Sequence, residues 1–193
     1  MGRHSVHTAQ TLIEAAITLF ARGGAREVTM AAIARMTGAP SGSVYHRFPD
    51  RPSLLSAVWR HTARDFEAGY RDQLGSDPSP DAAITVAVWC VEWCRIHPER
   101  AAVLHSGMRA FSPETWSADQ IAANQAEECA RDREFATVVA AIAERSGHRR
   151  DEVAFAMLGL PLAIVGSHLQ SGDSVPHRAS DLVRRIASRL LLS

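Results

Sequence analysis

Apolar residues recur along this sequence at the spacing of an α-helix, and this pattern restricts the chain to helical folds. They repeat every three or four positions, which places them on one face of a helix with about 3.6 residues per turn. No segment alternates apolar and polar residues in the way that predicts a half-buried strand. We therefore expect an all-α fold. The apolar positions of the first such stretch are Leu12, Ile13, Ala16, Ile17, Leu19 and Phe20.

Glycine, proline and capping residues divide this pattern into helices. Gly23-Gly24 ends the first helix, and Thr29 is a good N-cap for a short helix over residues 30–37. Gly38-Ala39-Pro40 separates this helix from a third helix over residues 41–47. The clearest linker lies at residues 75–80. The remaining predicted helices are a long fourth helix capped by Asp50 and helices over residues 81–96, 98–110, about 117–146, 149–170 and 178–192.

The two short helices on either side of Gly38 form a helix-turn-helix pattern. In such a pattern the second helix projects as a rod that fits a DNA major groove. Four segments in and around it read TLIEAAITLF over residues 11–20, VTMAAIARMTG over 28–38, GSVYHRF over 42–48 and RPSLL over 51–55. With these segments the region resembles the N-terminal domain of the TetR family, and the resemblance covers about 50 residues, a quarter of the chain.

The resemblance implies a homodimeric transcriptional regulator, usually a repressor, with neither an enzymatic activity nor a cofactor. It predicts a helix-turn-helix DNA-binding domain over residues 1–48. Residues 49–193 are expected to form a connector helix and a helical bundle for effector binding and dimerisation. The implied partners are a palindromic double-stranded DNA operator, a small-molecule effector and a second copy of the chain.

The DNA-contacting positions of the family can be transferred to this sequence one by one. Ser41 stands where lysine is common and Ala39-Pro40 where Val-Ser is common, so the chain departs from the family at a phosphate contact and at the entrance to the third helix. The alternative for Tyr45 is a core position, and for the arginines a solvated surface. The predicted DNA-binding residues are Thr29, Ser41, Gly42, Ser43, Tyr45, His46, Arg47 and Arg51.

Charge is distributed unevenly along the chain, although 21 basic and 21 acidic residues give a formal net charge of zero. Residues 1–64 contain eight arginines and three carboxylates, a net charge of +5, so the rest of the chain carries −5. A basic segment neutralises DNA phosphates, whereas an acidic one is repelled by them. The split supports DNA binding by the N-terminal part of the chain.

Large apolar and soft side chains beyond the linker predict a pocket inside a helical bundle. Charged residues are absent from this set, which favours a mostly apolar effector, oriented by His105 or a hydroxyl group. The alternative is a well-packed core without a pocket. The predicted ligand-binding residues are Trp89, Trp93, His105, Met108, Phe111, Trp116, Phe135 and Met157.

Two apolar stripes near the C-terminus predict a dimer interface. Two such helices and their symmetry mates can form a four-helix bundle, the arrangement by which the TetR family dimerises. The alternative is that the two helices pack only on each other within one chain. The predicted interface residues are Met157, Leu160, Ile164, His168, Leu182, Ile186 and Leu190.

Enzymatic and metal-binding functions receive little support from the sequence. There is no G-x-S-x-G motif, no glycine-rich phosphate loop and no paired-histidine zinc motif, so we do not expect an enzyme. Cys90, Cys94 and His97 have helical spacing, but a buried stripe explains them more simply, and no metal is expected. The alternative function is a helical ligand-binding or scaffolding protein that keeps a degenerate helix-turn-helix, and a DNA-binding assay distinguishes the two.

The expected location is the cytoplasm, without membrane contact. The N-terminus lacks the apolar segment of a secretory signal, and three cysteines fit reduced thiols better than a disulfide framework. The apolar stretch from Val153 to Gly172 contains a proline and several polar residues, so we expect it to be a buried helix.

Overall fold

The computed structural model describes residues 8–192, and within that range it contains helices and turns but no strand. The predicted all-α fold is therefore confirmed. The helices are α1 Ala9–Gly23, α2 Met30–Thr37, α3 Ser41–Arg47, α4 Arg51–Leu74, α5 Pro80–Ile96, α6 Pro98–Ser106, α7 Ala118–Ser146, α8 Arg150–Ala154, α9 Leu160–Ser171 and α10 His177–Leu191.

Local capping interactions fix the helix ends around the helix-turn-helix. The Thr29 hydroxyl accepts a hydrogen bond from the Ala32 backbone N–H at 3.1 Å, which satisfies a donor at the start of α2. Gly38 ends α2 with φ of 67°, a left-handed conformation that glycine adopts without strain. These signals are local, and the predicted bounds of α2 and α3 agree with the structure.

Two of the longer predicted helices are interrupted. The helix predicted over residues 98–110 stops at Ser106, because Gly107 takes a φ of 69° and two 3₁₀ turns follow, Met108–Phe111 and Pro113–Thr115. The helix predicted over residues 149–170 contains a π turn, Phe155–Gly159, between α8 and α9. A π turn inserts an extra residue per turn, so it rotates the side chains that follow relative to a regular helix.

The chain forms two compact units, and the first combines residues up to Arg64 with Ala102–Gln125. Phe111 is fully buried in the core of this unit, where it stacks on Phe20 with ring centroids 4.5 Å apart. Trp116 Nε1 donates a hydrogen bond to the Phe111 carbonyl at 3.0 Å. The segment after α6 therefore completes the core of the N-terminal helices.

The second unit contains Asp65–Ala101 and the chain from Ala126 onward. Within it, α5 packs against α9, α10 and the π turn. Helices α4 and α7 each contribute residues to both units. The packing thus differs from the predicted division into residues 1–48 and 49–193, because it groups residues that are distant in sequence.

One helical stretch of the described chain, Arg150–Ser171, has the length and hydropathy of a membrane span. One side of this stretch packs inside the second unit, where Val153, Met157 and Val165 are buried. The other side exposes Phe155 and Leu162, which are 50% and 52% accessible. The prediction of a buried helix therefore describes one face only.

Candidate nucleic-acid interface and ligand cleft

The helix-turn-helix has a fully apolar inner side. Ile33 on α2 and Val44 on α3 are completely buried, and Phe48 closes the end of α3 with 7% of its surface exposed. The turn between the helices is held by the Pro40 carbonyl, which accepts a hydrogen bond from the Ser43 N–H at 2.8 Å. The core therefore fixes which side of α3 faces outward.

The outer side of α3 carries most of the predicted DNA-binding residues. Tyr45 is 53% exposed, which excludes the alternative that it is a core aromatic residue. Ser43 is half-buried. The other predicted residues of this helix are exposed, namely Ser41, Gly42, His46 and Arg47.

Thr29 and Arg51, the remaining predicted DNA-binding residues, have structural contacts of their own. Thr29 is exposed while its hydroxyl caps α2. Arg51, at the start of α4, donates from Nε to the Val28 carbonyl at 2.8 Å and from Nη2 to the Ala25 carbonyl at 2.6 Å. Arg51 thus ties α4 to the segment that leads into α2, and its contact with DNA stays a prediction.

A cleft of about 160 Å³ lies in the second unit between α4 and α7. Its interior is apolar, and Leu158 of the π turn is part of its lining. The lining residues of α4 are Phe66, Glu67, Tyr70, Arg71 and Leu74, and those of α7 are Arg131, Asp132, Glu134, Phe135 and Val138.

Two ion pairs connect α4 and α7 at this cleft. Arg71 donates from Nε and Nη2 to the two carboxylate oxygens of Glu134, at 2.7 and 2.8 Å, and Arg131 pairs with Glu67. The hydrogen bonds from Arg71 hold the pKa of Glu134 below its usual range, so this carboxylate is charged at neutral pH. Because the two pairs join the same two helices, they help to set the width of the cleft.

Tyr70 is one of the lining residues, but its hydroxyl group is buried. Its hydroxyl oxygen is buried and has no hydrogen-bond partner among residues 8–192. Burial is the main cause of a raised pKa of this hydroxyl, which therefore stays protonated and keeps a hydrogen to donate.

Of the eight predicted ligand-binding residues, only Phe135 lines the cleft. Trp89 and Trp93 pack behind the lining residue Phe66, with ring centroids 5.3 and 5.0 Å from it. Met157, next to Leu158 in the chain, is fully buried. These side chains support the cleft rather than line it, because their apolar surfaces are taken up by the core.

The other four predicted ligand-binding residues belong to the first unit. Met108 packs against its core, Phe111 and Trp116 are buried in that core, and His105 is exposed. Their contact with a ligand stays a prediction, since composition alone does not distinguish a pocket from a core. Phe66, Tyr70 and Leu74 share one face of α4 and line the cleft, but they are absent from the predicted set.

The predicted dimer residues fall into two groups. Met157 and Leu160 are buried within the protomer, with 0% and 7% of their surface exposed, so they have almost no area to offer a partner. Phe155 and Leu162 lie on the exposed side of this stretch instead. The remaining predicted residues are half-buried and stay candidates for the interface: Ile164, His168, Leu182, Ile186 and Leu190.

The cysteines of α5 have the properties of core residues. Cys90 and Cys94 are buried, and desolvation raises the pKa of the Cys94 thiol to about 12. A thiol in this state is protonated at neutral pH, whereas metal binding and nucleophilic attack require the thiolate. Over residues 8–192, no group of three potential ligands could hold a metal ion.

Comparison with known proteins places the helix-turn-helix segment in a family. Residues 12–58 match the model of a family described as bacterial regulatory proteins, tetR family. The HTH-type transcriptional repressor KstR2 of Rhodococcus jostii (strain RHA1) is 34% identical over 77 residues. The aligned segment makes up 40% of this chain and 38% of the length of that repressor.

Solved structures share the fold over nearly the whole chain. The ketosteroid transcriptional regulator KstR2 of Mycobacterium tuberculosis has a TM-score of 0.68 at 18% identity, covering 98% of this chain and 95% of its own. The transcriptional regulator FadR of Bacillus subtilis, in complex with stearoyl-CoA, has a TM-score of 0.67 at 13% identity, covering 95% of this chain and 98% of its own. At these identities the similarity establishes the fold.

The ion pair between Arg71 and Glu134 is expected to make stability depend on pH. A carboxylate whose pKa is lowered by folding stabilises the native state above its unfolded pKa of about 4.3, and this contribution is lost as pH falls through the folded pKa. Glu134→Gln should therefore lose less unfolding free energy than the wild type between about pH 6 and pH 3, by up to about 1 kcal/mol for a half-exposed pair. Urea denaturation at each pH measures the difference.

Asp132→Asn provides the matched control for this experiment, because it removes one negative charge two residues away on the same helix. It should follow the wild-type pH dependence more closely than Glu134→Gln does. Equal pH dependence in wild type and Glu134→Gln would contradict the assigned role of the pair.

Proposed function

We propose that this chain is a transcriptional repressor of the tetR family of bacterial regulatory proteins and that it binds double-stranded DNA. The observation that carries the proposal is the outer side of α3. There Tyr45, His46 and Arg47 stand exposed on a helix whose inner side is fixed by a buried core. The intact packing of α2 and α3 counts against a degenerate helix-turn-helix.

The exposed residues of α3 divide into two roles on DNA. Ser43, Tyr45 and His46 are placed to meet base edges in a major groove, where hydrogen bonds and methyl contacts read the sequence. Arg47 neutralises a phosphate, which adds affinity without adding specificity. The net charge of +5 over residues 1–64 supports this orientation, since the remaining chain carries −5.

We also propose that the functional form is a homodimer that binds a palindromic operator in the cytoplasm. The outward side chains of Phe155 and Leu162, together with the half-buried Leu182, Ile186 and Leu190, supply an apolar surface for a second copy. A two-fold dimer presents two copies of α3 to two half-sites, which explains why an operator for this protein would be symmetric.

The effector in this proposal is a small, mostly apolar molecule that binds in the cleft between α4 and α7. The apolar interior of the cleft supports this assignment. Of the solved structures described above, one is of a ketosteroid regulator and one contains stearoyl-CoA, whose acyl chain is apolar although its coenzyme A part is charged. Because α4 and α7 also contribute residues to the first unit, a ligand that prefers one arrangement of these helices shifts the population of DNA-binding states.

Arg47→Ala should weaken binding to every DNA sequence by a similar factor. Loss of one phosphate contact lowers the slope of log affinity against log salt concentration by about 1. His46→Ala should instead change the preference among sequences, by about 1–3 kcal/mol at the contacted base pair. Binding is measured by fluorescence anisotropy on DNA from the region upstream of the gene and on random DNA, over a range of salt concentrations.

Arg133→Ala on α7 is the control, because it removes an exposed arginine from the acidic part of the chain. It should leave the salt dependence unchanged. Affinity of the wild type that does not change between low and physiological salt would contradict DNA binding through the basic surface.

Leu162→Glu should convert the dimer into a monomer. The residue is exposed in the protomer, so a charge there does not disturb the protomer core, but it would be buried without a partner in the dimer. Sedimentation equilibrium at micromolar concentration measures the mass. Gln170→Glu, an equally charged change at an exposed position of α9, should remain dimeric, and a dimer of Leu162→Glu would refute this placement of the interface.

A further inference from the structure

We propose that Gly69 is a positioning residue of the cleft between α4 and α7. By leaving room for the Trp89 ring system against the backbone of α4, it holds Phe66 in the lining and limits the size of the apolar ligand that the cleft admits. This role rests on the proposed function only because it takes the cleft as the effector site. It adds a pair of residues, Gly69 and Trp89, that determines which ligands fit.

Gly69 lies inside α4, where glycine is an unfavourable residue. A glycine in a helix interior weakens the helix relative to alanine, because it loses more conformational freedom on folding. The backbone conformation does not require glycine at this position, since Gly69 is helical and has no positive φ. The requirement for glycine must therefore come from the space beside the backbone.

The Trp89 ring system of α5 occupies the space that a side chain at position 69 would need. A Cβ atom at this position would overlap Trp89 Cζ2 and would lie 2.9 Å from Cη2. Both contacts are closer than van der Waals contact, so even an alanine side chain would displace the ring system. Glycine thus lets Trp89 lie directly on the backbone of α4.

The ring system that lies on Gly69 also supports Phe66, three residues earlier on α4. The Phe66 ring packs against two tryptophans, with centroids 5.3 Å from Trp89 and 5.0 Å from Trp93. Trp93 is 6% exposed, whereas Trp89 is half-buried and has room to move toward solvent. Phe66 itself lines the cleft. Displacement of Trp89 would therefore withdraw one of the two supports that hold this ring in the lining.

The position of Phe66 limits the volume of the cleft. An apolar cavity of about 150 Å³ can hold benzene, and this cleft has a volume of about 160 Å³. A two-ring molecule needs more space, and in this direction the space is filled by Phe66 and by Trp89 behind it. A smaller side chain at position 89 would let Phe66 move back and enlarge the cleft.

A double-mutant cycle with two probes of different size tests the proposal. Benzene has one ring and indole has two, and each is titrated by ligand-observed NMR into the full-length wild type, Gly69→Ala, Trp89→Phe and the double variant. Trp89→Phe removes Cζ2 and Cη2, the two atoms closest to a Cβ at position 69, and keeps an aromatic ring at position 89.

Two further variants serve as controls. Ala68→Ser adds one atom at the exposed neighbouring position of α4, so it should change the affinity for neither probe. Val138→Phe adds a ring on the α7 side of the cleft and should abolish the binding of both probes, which locates them in the cleft.

We expect Gly69→Ala to weaken benzene about fivefold or more, because Phe66 loses the support of Trp89. In the Trp89→Phe background the same change should alter benzene affinity by less than about twofold, since the atoms that clash are gone. Trp89→Phe alone should raise the affinity for indole relative to benzene by about fivefold, because it leaves space behind Phe66. This size preference is measured without Gly69→Ala. All variants should keep the helical circular dichroism of the wild type.

Equal weakening of benzene by Gly69→Ala in both backgrounds would overturn the inference, and so would an unchanged ratio of the two affinities in Trp89→Phe. In either case the cleft remains the effector site of the proposed function. No binding by the wild type, or binding that survives Val138→Phe, contradicts that site, and the inference fails with it. If the cycle shows coupling but neither probe alters DNA affinity in a parallel assay, the effector role fails while the roles of Gly69 and Trp89 stand.

Discussion

The conformation of α3 depends on burial, because a helix of seven residues is too short to be stable by itself in water. Its inner residue Val44 is fully enclosed, and so is Ile33 on α2. This enclosure fixes the rotation of α3, and with it the outward position of Tyr45. A rigid recognition surface is thus a consequence of core packing, and even the segment after α6 takes part through the stack of Phe111 on Phe20.

Electrostatics has a different role in each unit. In the first part of the chain, arginine exceeds the carboxylates, and the exposed Arg47 is available to phosphates. In the second unit the arginines of the cleft are held in pairs across α4 and α7. The formal net charge of zero is therefore the sum of two different regions. The basic first part of the chain attracts a polyanion, whereas the charged side chains around the apolar cleft of the second unit neutralise one another.

The bounds of α2 and α3 could be predicted from the sequence, because the residues that fix them lie close by in the chain. A threonine cap, a left-handed glycine and a proline define α2 and α3, and all of them lie within a few residues of the helix ends that they fix. Contacts between segments that are distant in sequence could not be predicted in this way. Arg51 bonds to carbonyls more than 20 residues away, and Phe111 joins a core that begins at Leu12.

The lining of the cleft and the outward apolar face could not be predicted, for a related reason. A list of large apolar residues does not say which of them lie around an empty space, so the list contains Phe135 of the cleft lining but neither Phe66 nor Tyr70. The π turn could not be predicted from periodicity, because one extra residue in a turn changes the phase of the stripe without changing its composition. Phe155 and Leu162 lie on the exposed side of the same stretch.

In the proposed complex, the exposed sides of two symmetric copies of α3 read DNA. Hydroxyl-radical footprinting of the wild type on the DNA that flanks its own gene tests this arrangement. We expect protected stretches related by two-fold symmetry on one face of the duplex, with centres one or more helical turns of about 10 base pairs apart, and loss of this protection in Tyr45→Ala. Absence of sequence-specific protection at low salt, or the same footprint in Tyr45→Ala, would contradict it.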